Sequence, residues 1–574
     1  MGAQDCLIAL SEGTISPDAA LQQARQALDE DHVAAEWAVP ACLALWRLER
    51  HREAFELHRS YSHHLQNNGD AWLIAGACAR KVPGLDQAAE QALLKGVTLL
   101  PTRWDAHYNL GNFYSDGDRY EEALLAYRHS LAIEANVATV WHNYGVALRE
   151  LERLDAAATA MKRSIQLDPS NADVWCNLGL VAHAKEDFKL SKQLYLQSIQ
   201  LDQNHSTGWV NVGMALLEEQ KPEEALSMIQ RGHQLNPKSP EALFNMALTL
   251  LLLGEYSEGW RLYESRFTTK QFKHTVIPSS GPWITSTEQL QQLCTNQTQC
   301  LVWSEQGIGD VIQFLRYLPV LQALKLPFVF ATRKPLIPLI EAWGPPGLVV
   351  ADETSLDDTL KTAPHLAQLS LPRLLRSDLD TIPSVTPYLT APGPPPEALL
   401  VPPPPGGLAV GLVWASNPGN KGMYRLKSLP LNLLLPRLLP AVQENLIELH
   451  SLQVGDDSRE LDPFRRIDGV MDWNGKLNNF SDTAHVVSQL DLVISVDTAV
   501  AHLAAALDLP TWVLLPSNAD FRWLRERSDT PWYSSMRLFR QRNRNDWTSA
   551  IDAVMEALGE VLALDMTQLA EETR

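Results

Sequence analysis

Residues 492–516 read LVISVDTAVAHLAAALDLPTWVLLP. An apolar β-type run over 492–496 breaks at Asp497-Thr498, an amphipathic helical pattern covers 499–507, and Pro510 introduces a second apolar run over 511–515. That order predicts a βαβ unit. In open α/β sheets ligands gather beyond the carboxyl ends of the strands, where a helix N-terminus offers unpaired N–H groups and about half a positive charge to an anion. Asp497, Thr498 and His502 fall at that end, so the stretch predicts a nucleotide-diphosphate site.

The same alternation extends upstream. LAVGLVWAS (408–416) reads as a strand, SNPGNKG as a loop, SLPLNLLLPRLLPAV as a Pro-interrupted helical stretch, NLIELHSLQ (445–453) as a strand and 480–489 as a helix. Before it, APGPPPEALLVPPPPGG (391–407) has a proline density suited to a stiff extended linker and not to a helix or sheet interior. Further upstream CLVWS (300–304) reads as a buried strand, EQGIGD (305–310) as a glycine loop and VIQFLRYLPVLQAL (311–324) as a helix, with strands at 328–331 and 347–350. Two Rossmann-like lobes, 300–390 and 408–560, joined by the linker predict a ligand cleft between them.

The first half has a different period. Gly111, Gly145, Gly179 and Gly213 are 34 residues apart, with Ala247 next; Trp141, Trp175 and Trp209 hold one phase, and Ala123, Ala157, Ser191, Ala225 and Gly259 another. Ala20, Ala54 and Ala88 carry the phase upstream. WHNYGVALRE (141–150), with Ala157 and Pro169, resembles the tetratricopeptide repeat, in which a small residue stands where helix A crosses helix B and stacked pairs share one core. The resemblance implies an all-α solenoid over 16–270, followed by a connection over 271–299. His107, Asn109, His142, Asn143, Asn177 and Asn211 are candidates to line a concave peptide groove; the alternative is that they are solvated helix-face residues.

Composition narrows the function. With 574 residues the chain is expected to hold two to four domains. A net charge of -20 disfavours nucleic acid or an anionic membrane as the main partner. The six cysteines show no C-x-x-C pair or zinc spacing, so they are read as reduced and buried, with no metal site. No signal peptide is expected, the apolar stretch 242–253 is too short to span a bilayer, and a cytoplasmic protein is implied.

Several side chains at the predicted strand ends can carry chemistry. Asp310 is either a helix cap or a base that takes a proton from an acceptor hydroxyl, with Gly307 and Gly309 allowing a tight turn and close approach of a ligand. Ser416, Asn417, Lys421, Arg425 and Lys427 are either a solvated basic loop or cations for a diphosphate. Asp497 is expected to cap its helix or accept from sugar hydroxyls, leaving the phosphate to Thr498 and the N–H groups of Ala499 and Val500. His502 is either structural or a donor to a phosphate oxygen. In the segment 516–541, rich in Trp, Tyr and Arg, Arg522 or Arg525 lies near the cleft, or the segment is a packed aromatic surface.

Taken together, WSEQGIGDVIQFLRYLPVL, VGLVWASNPGN, RLKSLP and SVDTAVAHLAAALDLP resemble glycosyltransferase family 9, the ADP-heptose heptosyltransferases of the GT-B fold, over roughly 300–545. More specifically, the chain looks like bacterial proteins that join tetratricopeptide repeats to such a domain. The resemblance implies Asp310 as general base, Lys427 as a phosphate ligand, and Asp497, Thr498 and His502 as donor-site residues. Ala499 stands where the family has glycine, Leu429 where it has an aromatic, and Ser416 and Asn417 where it has paired Thr or Ser. It further implies an inverting, metal-independent transferase that uses a nucleotide-diphosphate sugar as co-substrate and no other cofactor. The protein or glycan acceptor would be recruited by the repeats. The rival expectation is a non-catalytic repeat scaffold with a degenerate transferase domain.

Overall fold

The computed structural model describes residues 2–30, 35–272, 275–344, 348–402 and 407–572. Part of the linker read at 391–407 and the first residue of the strand read at 347–350 lie outside them. The chain divides into two compact units, Met1–Ala215 and Leu216–Arg574.

The first unit is built from antiparallel helix pairs, the most regular being Trp104–Asp116 with Tyr120–Ile133, Ala138–Glu150 with Leu154–Leu167, and Ala172–Ala184 with Phe188–Leu201. The 34-residue phases acquire a physical cause here. A Cβ on Gly111 would sit 2.5 Å from Tyr127 Cε1, on Gly145 2.8 Å from Met161 Cγ, and on Gly179 2.5 Å from Tyr195 Cε1. The glycine slot is thus the hole that receives a large side chain of helix B. Opposite it, Ala123, Ala157 and Ser191 are fully buried. The tryptophan phase does more than fill space: the indole N–H of Trp141 donates to Ala135 O (2.8 Å) and that of Trp175 to Pro169 O (2.9 Å). Each indole thereby ties the first turn of helix A to the preceding loop. Asp118, Glu152 and Glu186 repeat a left-handed turn between the two helices of a pair, with φ of 58°, 58° and 62°.

The second unit opens with the repeat helices Pro222–Leu235, Pro240–Leu252 and Tyr256–Tyr263. Strands β1 (Cys300–Trp303), β2 (Phe328–Thr332), β3 (Val349–Asp352) and β4 (His365–Ala367) form a parallel sheet in the order β3-β2-β1-β4. Strands β5 (Leu408–Val413), β6 (Ile447–Ser451), β7 (Val470–Asp472), β8 (Leu492–Val496), β9 (Thr511–Leu515) and β10 (Met536–Arg540) form a second parallel sheet, ordered β10-β9-β8-β5-β6-β7. The fold is therefore a helical repeat followed by Rossmann-like α/β layers. In each sheet the chain first moves outward from its first strand and then returns to that strand's other side. The places of reversal are β1/β4 and β5/β8, where parallel sheets open a crevice for ligands.

The predicted elements need some corrections. The helix read at 311–324 is two helices, Ile308–Phe314 and Leu318–Ala323, because Pro319 cannot continue the hydrogen-bond ladder of the first. Residues Lys421–Lys427, read as loop, form a helix capped by Asn420, whose side chain accepts from Met423 N. Strands β4, β7 and β10 were not expected. Among the described residues no helix is long and apolar enough to cross a membrane. The cysteines are free, five of them buried and Cys294 half-buried.

One hydrophobic core runs through the second unit. It joins Tyr256, Trp260 and Tyr263 of the last repeat helix, Val302, Phe314 and Phe330 around the first sheet, and Ala501, Leu503, Val513, Leu515, Trp523 and Trp532 from the second. This shared core overturns the expected cleft between lobes at the point where the helices Ile308–Phe314 and Ala499–Ala506 meet. Gly309 and Ala499 are small enough for the first turns to touch: a Cβ on Gly309 would lie 3.4 Å from Ala499 Cα and 3.0 Å from His502 Cδ2.

Candidate functional site

Both switch points supply polar residues to one region, in which Asp497 and His502 are buried and Asp310, Lys427 and Thr498 half-buried. The loop after β1 leads into the helix Ile308–Phe314 with Asp310 at its third position, and there Asp310 Oδ2 accepts from Gly307 N–H at 2.8 Å. The turn expected from Gly307 is made instead by Gln306, at φ 62°, while Gly307 is extended at φ -80°. Gln306 can hold that conformation because its side-chain amide donates to the Tyr263 hydroxyl at 2.7 Å and its carbonyl accepts from Arg333. The preceding Glu305 is buried in a two-pronged ion pair with Arg266, Nη2–Oε1 2.6 Å and Nε–Oε2 2.9 Å. The end of the repeats therefore fixes the loop that carries Asp310.

From the second sheet, Lys427 and Asp497 meet at the β5/β8 reversal, Nζ to Oδ2 2.6 Å. Burial works to raise the Asp497 carboxyl, but Lys427 and then His502 outweigh it and hold the carboxyl below the ordinary range. For Lys427 burial pulls the other way, and Asp497 followed by Asp520 leaves it above an ordinary lysine. Asp497 does not cap its helix: Thr498 is the N-cap residue, and its hydroxyl is 3.0 Å from that of Ser495. His502 is an interior residue. Its ring stacks on Trp523, with centroids 5.3 Å apart, and its Nδ1 lies 3.0 Å from the Tyr533 hydroxyl. Burial, only partly opposed by Asp497, pushes its pKa down to about 3, so it is neutral at pH 7. Donation to a phosphate would have to come from Nε2, which lies 3.9 Å from Asp497 Oδ1.

The residue that joins the two halves is Arg522, from the 516–541 segment. Its Nη2 is 2.5 Å from Asp310 Oδ1, its Nη1 donates to Asp520 Oδ1 at 2.7 Å, and its Nε donates to Gln313 Oε1 at 2.9 Å. The guanidinium also packs 4.5 Å from the Phe521 ring centroid. Burial disfavours the charge, and Asp310 followed by Asp520 more than restores it, so its pKa lies above that of a free arginine. The sequence offered Arg522 only as one of two arginines in an aromatic segment; its Asp520 neighbour was the available signal. Arg525 instead pairs with Glu223 of a repeat helix, 2.6 Å.

Of the remaining predicted residues, Ser416 is close to this cluster: its N–H donates to Ser428 Oγ, the residue after Lys427, at 3.0 Å. Asn417 is exposed and accepts from Gly419 N–H at 2.9 Å, a local turn separate from the cluster. The groove asparagines of the first unit serve largely to stitch repeats together. Asn143 donates to Tyr108 OH (3.0 Å) and Asn112 Oδ1 (2.8 Å), Asn177 lies 3.0 Å from His142 Nε2, and Asn211 donates to Cys176 Sγ (3.2 Å). Asn109 is half-buried on its helix and stands outside this ladder.

Comparison with known proteins agrees with the two parts. Tetratricopeptide-repeat profiles match residues 105–137, 145–186 and 172–205, and the profile of glycosyltransferase family 9 (heptosyltransferase) matches 471–522. The second match covers Asp497, Thr498, His502 and Arg522, and leaves Asp310 and Lys427 outside. Protein FlbA of Caulobacter vibrioides is 28% identical over 360 residues, 57% of this chain and 57% of that protein, so the match spans little more than half of the relative's length. Among solved structures, that of pilF from Pseudomonas aeruginosa matches 36% of the chain and 95% of its own at 21% identity and TM-score 0.31. MamA matches 28% and 95% at 20% identity and TM-score 0.26. The chain thus carries tetratricopeptide repeats in its N-terminal region and a C-terminal segment similar to glycosyltransferase family 9, which supports a glycosyltransferase.

Proposed function

We propose that residues 300–390 and 408–560 act as an inverting, metal-independent glycosyltransferase. It would move a sugar from a nucleotide-diphosphate donor to a hydroxyl of a protein or glycan acceptor recruited by the repeats at 16–270. No separate cofactor is assigned, and the setting is cytoplasmic. The observation that carries the reading is the approach of the two sheet reversals: Arg522 pairs with Asp310, Gly309 beside it abuts Ala499 and His502 of the helix that follows Asp497 and Thr498, and Lys427 pairs with Asp497.

In this reading an acceptor O–H loses its proton to the Asp310 carboxylate as its oxygen bonds to C1 of the sugar. The C1–O bond to the diphosphate breaks, and the nucleoside diphosphate leaves with the electron pair. Lys427, the Thr498 hydroxyl and the N-terminus of the helix Ala499–Ala506 stabilise the leaving charge. Two rearrangements must come first. Asp310 Oδ1 is engaged by Arg522, and the first turn at Ala499 is covered by Gly309. Donor entry therefore requires the two helices to part and Lys427 and Arg522 to exchange carboxylates for phosphate oxygens.

That same closure favours a second reading, a repeat scaffold whose transferase fold no longer turns over. A thermal-shift scan of the full chain with ADP- and UDP-sugars separates the two. The transferase reading predicts a rise in melting temperature with at least one donor and at least tenfold weaker binding by Lys427→Gln. No shift with any donor sinks it in favour of the scaffold.

A further inference from the structure

The core of the second unit holds a chain of polar side chains that the reaction above does not use. It runs from His502 Nδ1 to the Tyr533 hydroxyl (3.0 Å), on to the Tyr388 hydroxyl (3.1 Å), and ends on the carbonyl of Ile312 (3.0 Å). His502, Tyr533 and Tyr388 are 3%, 1% and 8% exposed, so their hydrogens must find acceptors within the protein. Arg316, also buried, lies over both phenol rings, 4.5 Å from the Tyr533 centroid and 4.7 Å from that of Tyr388. Its Nη2 donates to the Tyr388 hydroxyl at 3.3 Å, and its other N–H groups reach the carbonyls of Gln313 (2.8 Å), Pro383 (3.1 Å) and Trp532.

Counting hydrogens gives the chain a direction. A carbonyl oxygen only accepts, so the single O–H hydrogen of Tyr388 goes to Ile312. Tyr388 therefore meets Tyr533 as an acceptor, its two lone pairs taking the Tyr533 hydrogen and the Arg316 N–H. With that hydrogen committed, Tyr533 can only accept from His502. Burial, and then Tyr388, hold the Tyr533 phenol well above its ordinary pKa, so the hydroxyl stays intact. His502 is neutral at pH 7 and has one ring hydrogen, which this order places on Nδ1. The opposite order, with Tyr533 donating to His502, leaves two buried phenol oxygens 3.1 Å apart with no hydrogen between them, which is costly.

Nε2 then carries a lone pair. It lies 3.9 Å from Asp497 Oδ1, and the adjacent Cδ2 faces Gly309, where a Cβ would come within 3.0 Å. Parting of the helices Ile308–Phe314 and Ala499–Ala506 therefore opens this edge of the ring to a ligand. We propose that Tyr533 and Tyr388 are positioning residues that keep the His502 hydrogen on Nδ1, so that Nε2 meets a bound sugar nucleotide as acceptor of a hydroxyl hydrogen and not as a donor to its phosphates. The ligand in this statement rests on the transferase reading; the tautomer does not. Phosphate oxygens are left to Lys427, Thr498 and the helix N-terminus.

Nitrogen NMR of the full chain labelled at histidine reads which ring nitrogen carries the hydrogen, the His502 signals being identified by their loss in His502→Gln. At pH 7 the hydrogen is expected on Nδ1. Tyr388→Phe keeps the aromatic ring and turns the Tyr533 hydrogen onto His502 Nδ1, so the ring hydrogen should move to Nε2; a tyrosine that only packed would not move it. Tyr533→Phe, which removes the acceptor, should release it likewise. A native His502 with its hydrogen on Nε2, or one that keeps it on Nδ1 in Tyr388→Phe, overturns the proposal. If neither variant folds, the native tautomer decides. Adding the ADP- or UDP-sugar that the chain binds should shift Nε2 and leave the hydrogen on Nδ1; its transfer to Nε2 would show donation to a phosphate and equally overturn the proposal. The tautomer is read without donor, so a chain that binds no sugar nucleotide fails the transferase reading separately.

Discussion

Replacing Arg266 by Met tests how the repeats hold the glycine loop. Arg266 and Glu305 have side chains 0% and 1% exposed, so water screens their attraction very little. Burial opposes the Arg266 charge, and Glu305 followed by Glu264 overcomes it, leaving a pKa above that of free arginine. Removing the arginine leaves Glu305 as a buried carboxylate without its counter-ion, a loss of about 3–5 kcal/mol. The reverse change is milder. In Glu305→Gln, Arg266 keeps Glu264 (3.1 Å), the Tyr263 carbonyl (3.1 Å), Ser370 Oγ (3.1 Å) and the Phe267 ring face (4.0 Å to the centroid), so roughly half that loss is expected. The double variant Arg266→Met/Glu305→Leu should recover most of the deficit, because an apolar pair of similar volume carries no desolvation cost. Denaturant melts of the four proteins, followed by tryptophan fluorescence, give the coupling energy, expected at about 1.5–3 kcal/mol. The asymmetry is the sharpest part. Equal losses in the two single variants, or a loss below about 1 kcal/mol in Arg266→Met, would refute the view that Arg266 is what fixes residues 305–307.

In the repeats, Gly179→Ala forces a methyl to within 2.5 Å of Tyr195 Cε1 and should destabilise the first unit by about 1–3 kcal/mol, read as a lower denaturation midpoint; an unchanged midpoint contradicts the hole-and-knob account of the 34-residue period. Stability should also depend on acid in a defined window. Burial lowers the pKa of His502 to about 3 and of His450 to about 4, against an unfolded value near 6.5. The unfolded chain therefore binds more protons between those limits. Stability is complete above pH 6.5 and declines as the pH falls, by at most about 1.4 kcal/mol per pH unit for each histidine. His450→Gln should flatten the slope of stability against pH between 6 and 4.5, and an unaltered slope would show that His450 does not titrate in this way. Arg522→Gln removes the cation shared by Asp310 and Asp520, and should lower stability by about 3 kcal/mol, read from denaturant melts; a loss below about 1 kcal/mol would mean that the ion pairs add little beyond the packing on Phe521.

Much of this architecture was legible in the chain because it rests on periodicity. Glycine every 34 residues has no other use than to admit Tyr127, Met161 or Tyr195, and the apolar runs of β1, β5, β8 and β9 are buried on both faces. β4 and β7 escaped notice because three residues are too few to show a period, and β10 because MRLFR neither alternates strictly nor forms a continuous apolar run, inside an Arg-rich segment. At the candidate site, residue types placed these side chains at strand ends, and their partners were not legible. The sequence offers Asp497 as a cap or an acceptor for sugar hydroxyls, and it is paired to Lys427, 70 residues away; it offers Asp310 as a cap or a base, and besides accepting from Gly307 N–H that carboxylate is held by Arg522, 212 residues away. Such pairings depend on which loops the sheet order brings together, and nothing in local composition encodes that. The groove asparagines illustrate the same limit: their spacing was plain, and their bonds to the preceding repeat were not.

The most direct measurement is turnover: release of free nucleoside diphosphate from ADP- and UDP-sugars by the full chain and by Asp310→Asn, with donor binding measured on both. The account predicts release by the native protein from at least one donor that it binds. It further predicts donor affinity within about twofold in Asp310→Asn and a rate at least about 100-fold lower, as expected when a general base is removed. A protein that binds a donor and releases product equally well with asparagine at 310 would contradict the assignment of the base. One that binds no donor at all would contradict the transferase itself.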